Sequence, residues 1–381
     1  MANKKPKSGD VKFFRKGKMD IVFFSLVLIL LTIGLIMLFS ASYAFSNTYY
    51  GNSYKFILQQ SLFAIIGIGL MLFISKVDYH YIRKFSWLIL VVCFAFLILL
   101  LVMPPMMRNT DVKRWFVIGP LSFQPSEIAK FAIITVFSHL IARNYNLMGN
   151  FKFVAFLVAI LGLTCVLVIL EPHISATLLI FSIGVVLMIV GGLKLKYILM
   201  GVGSAAVLAL GAYFAGLMSY GNDRIKYWLD PWADAKGLGY QTIQSLLAIG
   251  SGGLMGRGLG QSRQKYLWVP EPHNDFIFAI VSEELGLVGA MVIILLFCAL
   301  VWRGFTIALK AEDKFGCLMA VGLTFQVGLQ AMLNILVVTN TIPNTGISLP
   351  FFSYGGTALI ILLSEMGVVL SISRSSQVEK V

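Results

Sequence analysis

The sequence predicts an all-α polytopic membrane protein with ten transmembrane helices, both termini cytoplasmic, and a large extracellular loop between helices 7 and 8. Three observations carry that prediction. Hydrophobic residues make up 58% of the 381-residue chain and charged residues only 12%, about half the charged share of a soluble domain. Ten apolar stretches each reach about 18 residues or more, the length that crosses a bilayer. The 30 basic residues, which leave a net charge of +13, concentrate on one side of those stretches. Too little polar side chain is present to cover a water-facing surface, which excludes a soluble enzyme, a disordered chain and a disulfide-stapled secreted domain.

In order, the stretches are 20–44, 56–75, 85–104, 125–142, 152–170, 174–192, 197–218, 276–302, 315–340 and 350–373. The first has basic flanks and ends in Ser40-Ala41-Ser42-Tyr43-Ala44, which resembles a signal-peptidase site. Its apolar core, Ile21 to about Phe39, exceeds the roughly 7–15 residues of a signal h-region, so it is read as a retained helix. Glu171-Pro172-His173 breaks the fifth from the sixth, as a proline between two polar residues should. The organisation that follows is a basic cytoplasmic tail (1–19), one ten-helix membrane domain (20–373) and a short cytoplasmic tail (374–381). Residues 219–275 form the large loop.

Orientation comes from the basic residues. The N-terminal tail holds seven (Lys4, Lys5, Lys7, Lys12, Arg15, Lys16 and Lys18), and the alternate loops and C-terminal tail add twelve more. The four short loops on the other side carry only Lys55, Arg108, Lys113 and Arg114. The positive-inside rule places both termini in the cytoplasm. Most of the excess charge is then topological, and no nucleic-acid partner is implied. Cys93, Cys165, Cys298 and Cys317 sit in apolar runs without C-x-x-C spacing, and His80, His139, His173 and His273 lie far apart. Neither set forms a metal-ligand pattern.

The 219–275 loop is long enough to build a site. It holds nine glycines, six of them in 250–260. These do not make a nucleotide-binding fingerprint. They fit either a flexible surface loop or backbone turns close to a large ligand. Ahead of them, residues 239–249 place Ile243, Leu246 and Leu247 on one helical side and Gln241, Gln244 and Ser245 on the other. That pattern suits a short helix lying in the outer interface. Asp275 opens the eighth span after two prolines. It reads either as a helix N-cap or as a carboxylate held at the outer surface near Arg257, Arg263 and Lys265.

Charges within spans are costly and are functional candidates by default. Glu127 and Lys130 are three apart on one helix face and can pair. Glu283 and Glu284 lie roughly 12–14 Å into the eighth span, and Glu365 lies in the tenth. Each fits interhelical ion pairing or a polar path. The uncharged loop from Pro343 to Pro350, followed by Phe351-Phe352-Ser353-Tyr354-Gly355-Gly356, predicts a discontinuous helix entrance, tolerated only where protein or a wet cavity buries it.

These segments together resemble one family, the SEDS proteins (shape, elongation, division and sporulation), or FtsW/RodA/SpoVE group, and within it the FtsW/SpoVE branch. Arg114-Trp115, Gly119-Pro120 and Gln124-Pro125-Ser126-Glu127 with Lys130 are similar to the family's R-W, G-P and Q-P-S-E-x-x-K signature. Asp230-Pro231, Gly239-Tyr240-Gln241, Gln244-Ser245, Gly260 to Lys265, Pro270 to Phe278, Glu283-Glu284-Leu285-Gly286 and Ser353 to Gly356 follow the family order. His173 stands where the family usually has an acidic residue, so no charge-dependent role is assigned to that turn.

The resemblance implies a peptidoglycan glycosyltransferase of the bacterial plasma membrane, with its site on the extracellular face, serving division or sporulation. Its substrate would be lipid II, a disaccharide-peptide on undecaprenyl pyrophosphate, and its partner a class B penicillin-binding protein. Asp275 matches the family's catalytic aspartate. An α-linked donor and a β-1,4 product call for a single inverting displacement with one base. Pyrophosphate needs positive charge as it leaves. Arg114, Lys130, Arg263 and Lys265 are the candidates, with Mg2+ or Mn2+ as an inorganic supplement and no organic cofactor. Glu127, Gln241 and Ser353 complete the implied substrate contacts. A lipid II flippase and a non-catalytic scaffold for a transpeptidase are the alternatives.

Overall fold

The computed structural model describes residues 17–103, 114–118, 121–194, 196–197, 199–201, 226–237 and 239–375. Most of the expected seventh span (197–218), the basic tail through Lys16, the loop cations Arg108 and Lys113, and the C-terminal residues from 376 lie outside the described residues. The long helices are α1 (Ile21–Tyr50), α2 (Lys55–Ile74), α3 (His80–Val102), α4 (Pro125–Arg143), α5 (Phe151–Leu170) and α6 (Ile174–Val190). After them come α7 (Tyr240–Gly252), α8 (Ile277–Leu309), α9 (Lys314–Val338) and α10 (Gly356–Ser375). Among the described residues, eight of these are long and apolar enough to cross a membrane, and α6 is apolar but only 17 residues long.

Polar side chains placed at the ends of apolar runs set the boundaries. Asp20 caps α1 by accepting from Phe23 N at 2.9 Å, and Asp313 caps α9 by accepting from Gly316 N at 3.0 Å. Pro125 opens α4 at a position where its missing N–H costs nothing. The tenth span begins later than expected, at Gly356, because residues 350–355 form a buried turn with Phe351 at φ 67°. Gln60 of α2 satisfies that irregular backbone: its Nε2 donates to Ser353 O and its Oε1 accepts from Gly355 N. This is the discontinuous entrance that the loop chemistry implies.

The fold is not wholly helical. Strands β1 (Phe116–Ile118) and β2 (Leu121–Phe123) pair antiparallel just before α4. Three residues per strand are too few for alternation to register in the sequence. Within the bundle α4 is the most enclosed span, with 72% of its apolar window buried against 22% for α2. It packs against α3, α6 and α9, so the charges it carries face protein. Helices α1 and α8 are tied at both ends. Asp20 Oδ2 meets Arg303 Nη2 at 2.8 Å, and Ser40 Oγ donates to Glu284 Oε1 at 2.6 Å.

Residues 240–265 depart from the sequence reading. Helix α7 exists over the expected range, but its far end lies against the second turn of α8, where a Cβ on Gly252 would meet Ser282 O. There α8 is interrupted at Gly286 (φ 68°, ψ −171°), and the glycine run supplies the missing bonds. Leu287 N donates to Gly253 O at 2.9 Å and Val288 N to Leu254 O at 3.1 Å, while Arg257 N and Gly258 N each donate at 3.0 Å to the carbonyls of Glu283 and Glu284. The Glu283 and Glu284 carboxylates do more than pair charges with Arg257 and Lys265. They accept main-chain N–H groups from Gly260, Ser262, Arg263 and Gln264. Gly286 has no tolerance here: an added Cβ would lie 2.2 Å from Gly256 N, at a φ that L side chains resist. Gly286→Ala is expected to cost about 2–4 kcal/mol, read as a lower thermal midpoint in detergent.

Candidate active site

Two cavities of about 420 Å3 and 430 Å3 meet at Asp275. Both are also lined by Arg114, Ser175 and Gly346. The first is walled by Tyr227, Trp228, Tyr240, Gln241, Asn340 and Asn344, which are flat rings and amides. The second holds Glu127, Lys130, Gln330 and His173, then runs along apolar side chains that include Leu179, Leu359 and Leu362. The first cavity, which also carries Lys236, suits polyhydroxylated groups, and the second offers charge followed by hydrocarbon.

Asp275 is not a helix cap. Helix α8 starts at Ile277, and its N-cap residue, Phe276, makes no side-chain cap bond. Among the described residues the Asp275 carboxylate receives no hydrogen bond, and its main-chain carbonyl is held by Asn334 Nδ2 at 2.7 Å. Burial, together with the nearby Glu271 carboxylate, pushes its pKa up to about 6 against the pull of Arg114. A helix N-terminus favours a charged carboxylate nearby, and burial outweighs that pull here. The adjacent Phe276 is itself buried, at 1% exposure.

The Asp275 backbone is fixed from three sides. Asn334 of α9 also donates to Ile347 O at 2.6 Å, which joins the α8 entrance to the 343–350 loop. Ser353 Oγ donates to Asn274 O and accepts from Leu349 N, both at 2.8 Å. Tyr354 N donates to His273 O at 2.9 Å. Ser353 lines the second cavity, and its hydroxyl ties Leu349 N to the Asn274 carbonyl beside Asp275. His273 is packed between Phe45 and Phe56 at 4.7 and 4.5 Å. Burial holds its pKa down at about 4, so it is neutral at pH 7.

The predicted cations separate into two groups. Arg114 lines both cavities, and its guanidinium donates to Pro172 O. Lys130 lines the second; its ammonium lies 2.9 Å from Glu127 Oε2 and donates to Gln330 Oε1 at 3.1 Å. Arg263 and Lys265 line neither. Lys265 Nζ is spent on Glu284 at 3.1 Å, Gly260 O at 2.6 Å and Ser40 Oγ at 3.1 Å. Its charge is engaged in supporting the Gly-rich loop, and Arg263 lies on that same arm. Gln241 does reach the first cavity, where its Oε1 accepts from Asn344 Nδ2 at 3.1 Å. His173 lines the second cavity beside Gln124 (3.2 Å) and Ser126 (3.3 Å), and burial with Arg114 and Lys130 nearby keeps it neutral, its pKa near 3.

Gln330 and Asn334, which hold Lys130 and Asp275, escaped the reading of the sequence. A signal was present: Gln326, Gln330 and Asn334 recur every fourth residue in an apolar span, a polar stripe down one face of α9. Among the described residues no group of three His, Cys, Asp or Glu side chains is placed to hold a metal ion. Asp275, Glu271 and Glu127 are the carboxylates on the second cavity that could meet a divalent ion carried in on a pyrophosphate, which needs only one or two protein ligands.

A helical bundle of membrane spans surrounding a charged double cavity defines a multi-pass membrane protein with a polar site near the end of its spans. The family model described as "Cell cycle protein", FtsW/RodA/SpoVE, matches residues 20–378, and the chain belongs to that family. Stage V sporulation protein E of Bacillus subtilis (strain 168) is 40% identical over 367 residues, covering 95% of this chain and 99% of the relative. A probable peptidoglycan glycosyltransferase FtsW of Geobacter sp. (strain M18) is 36% identical over 357 residues, covering 93% and 96%. A solved chain from a peptidoglycan synthase complex that coordinates polymerization and crosslinking superposes with a TM-score of 0.79 at 26% identity, covering 95% of this chain and 99% of that one. Thermus thermophilus RodA shares the fold at a TM-score of 0.70 and 24% identity, covering 95% and 98%.

Proposed function

We propose that this protein is a peptidoglycan glycosyltransferase that polymerises lipid II, with Asp275 as the general base. The observation that carries the reading is the meeting of two cavities at one carboxylate whose pKa is raised to about 6 and which keeps its oxygens free of described donors. A glycosyl transfer between two lipid-linked saccharides needs two pockets and one base between them. The names and assemblies of the relatives point the same way.

The acceptor's sugar lies in the first cavity, among its rings and amides. Asp275 takes the proton of the acceptor 4-hydroxyl as that oxygen attacks the donor's anomeric carbon. The bond from that carbon to the pyrophosphate oxygen breaks, configuration inverts from α to β, and undecaprenyl pyrophosphate departs. Pyrophosphate is a good leaving group, so no second carboxylic acid is required, unlike a glycosidase. Arg114 and Lys130 stabilise the charge that develops on it, and the apolar end of the second cavity receives the lipid. Mg2+ or Mn2+, when bound with the pyrophosphate near Asp275 and Glu271, would add positive charge there.

In this reading the chain crosses the plasma membrane ten times. Both termini are cytoplasmic, the 219–275 loop and Asp275 are extracellular, and a class B penicillin-binding protein crosslinks the strands that are made. The deciding experiment supplies labelled lipid II to the purified protein, alone and with that partner. Glycan polymer is expected, and its absence under both conditions with folded protein would overturn the assignment. Gly346 offers a finer test. It sits at φ 67°, and a Cβ there would approach Asp275 Oδ2 to 3.2 Å. Gly346→Ala is expected to lower the polymerisation rate of the folded protein about tenfold or more, as small misplacements of a reacting group do, with a lower thermal midpoint from the left-handed φ.

A further inference from the structure

We infer that residues 240–268 form a re-entrant hairpin that enters the leaflet on the Asp275 side of the membrane, where its apolar turn meets lipid acyl chains. The ruler is α8 itself. Its Arg303 pairs with Asp20 at the start of α1, so this ion pair marks the opposite membrane boundary. Leu287 and Val288, which donate to Gly253 and Leu254, lie 15–16 residues above Arg303, roughly 23 Å at 1.5 Å per residue. A hydrocarbon core is about 30 Å thick, so the turn of the hairpin lies inside it. Helix α1 places the next level up: Ser40, bonded to Glu284 at 2.6 Å, is 20 residues above Asp20, roughly 30 Å, so the Glu284 carboxylate stands near the upper edge of the core and the turn lies below it. Asp275 precedes the first turn of α8, beyond the Gly286 interruption from Arg303, at the water boundary. Helix α7 therefore descends from the cavity at Gln241 to the level of Glu283.

The surface matches that depth. Leu254 and Met255 at the turn are 67% and 79% exposed, and they continue the exposed flank of α8 formed by Leu287, Val288 and Met291. In water such a patch would be costly; beside acyl chains it is not. The charge nearest the turn, Arg257, is tied back to Ser251 O and to Glu283.

The hairpin also has its own answer to the cost of non-helical backbone at membrane depth, where each unsatisfied N–H is expensive. Glu283 and Glu284 together accept the four N–H groups of Gly260, Ser262, Arg263 and Gln264, and Lys265 neutralises Glu284. Two carboxylates in a span are thereby explained as the internal cap of the hairpin's returning arm. Because Tyr240 and Gln241 line the first cavity, the same hairpin carries one wall of the site.

Site-directed spin labelling in proteoliposomes tests this. In a background with Cys93, Cys165, Cys298 and Cys317 replaced by alanine, labels are placed by Met255→Cys, with Leu254→Cys as a second probe of the turn. Met291→Cys serves as the lipid reference and Ala233→Cys as the water reference. The labels at 254 and 255 are expected to favour collision with oxygen over a nickel chelate as strongly as the label at 291. A nickel-chelate accessibility equal to that at 233 would overturn the inference. The Glu283→Gln/Glu284→Gln double variant is expected to raise chelate access at 255 at least threefold; unchanged access would overturn the capping role of the two carboxylates.

Discussion

Asp275→Asn is expected to lower glycan synthesis by about 10²–10⁴-fold, the usual share of a general base, in a protein that still folds and still binds lipid II. The substitution is nearly isosteric. The Asp275 side chain receives no hydrogen bond among the described residues, and its backbone is held by Asn334 whatever the side chain. Folding therefore has little to lose, and the effect reports on chemistry. The pH profile gives an independent readout. Burial raises the carboxyl to about 6, so the base is protonated and silent below that pH and competent above it. The rate at low substrate should climb about tenfold per pH unit below pH 6 and flatten above it, and the residual rate of the asparagine variant should lose that limb. A variant with near wild-type polymerisation would remove Asp275 from the mechanism. A flippase would show translocation indifferent to the change, and a scaffold would show no polymerisation to lose.

The spans were legible because crossing a bilayer demands some twenty apolar residues whatever the tertiary packing, and the interruption before Gly356 because two prolines and two glycines announce irregular backbone. The position of α7 was not legible. A 13-residue amphipathic helix has the same sequence whether it lies flat in an interface or stands against α8; only its partners distinguish the two. Arg263 and Lys265 show the same limit. Their closeness to Asp275 in the chain suggested a phosphate site, but Glu283 and Glu284 approach from the next helix and take up that arm. Asn334 and Gln330 were the reverse case. Their four-residue spacing is visible, but amides inside an apolar span carry no charge, so they mark a site less strongly than Glu127 and Lys130.

Lys130→Met is expected to lower polymerisation by about 10²–10³-fold, the range for losing one preorganised charge from a transition-state site. It is also expected to destabilise the protein. Lys130 is 2% exposed and Glu127 16% exposed, 2.9 Å apart, and stripping one partner from a buried pair costs about 3–5 kcal/mol because the other charge is left alone. These two effects must be separated. The double variant Glu127→Gln/Lys130→Met replaces the pair with neutral groups and should recover most of the stability, since a buried ion pair is worth little against a neutral substitute. It should not recover activity, because nothing then stabilises the departing pyrophosphate from the α4 side. Recovery of activity together with stability would reduce Lys130 to a structural residue and leave Arg114 as the cation of the site. Translocation of lipid II lost at Lys130, with polymerisation intact in the double variant, would instead favour the transporter. The pair is thus the one place where catalysis, transport and folding predict three different patterns, and thermal midpoint, polymerisation and translocation measured on the same preparations tell them apart.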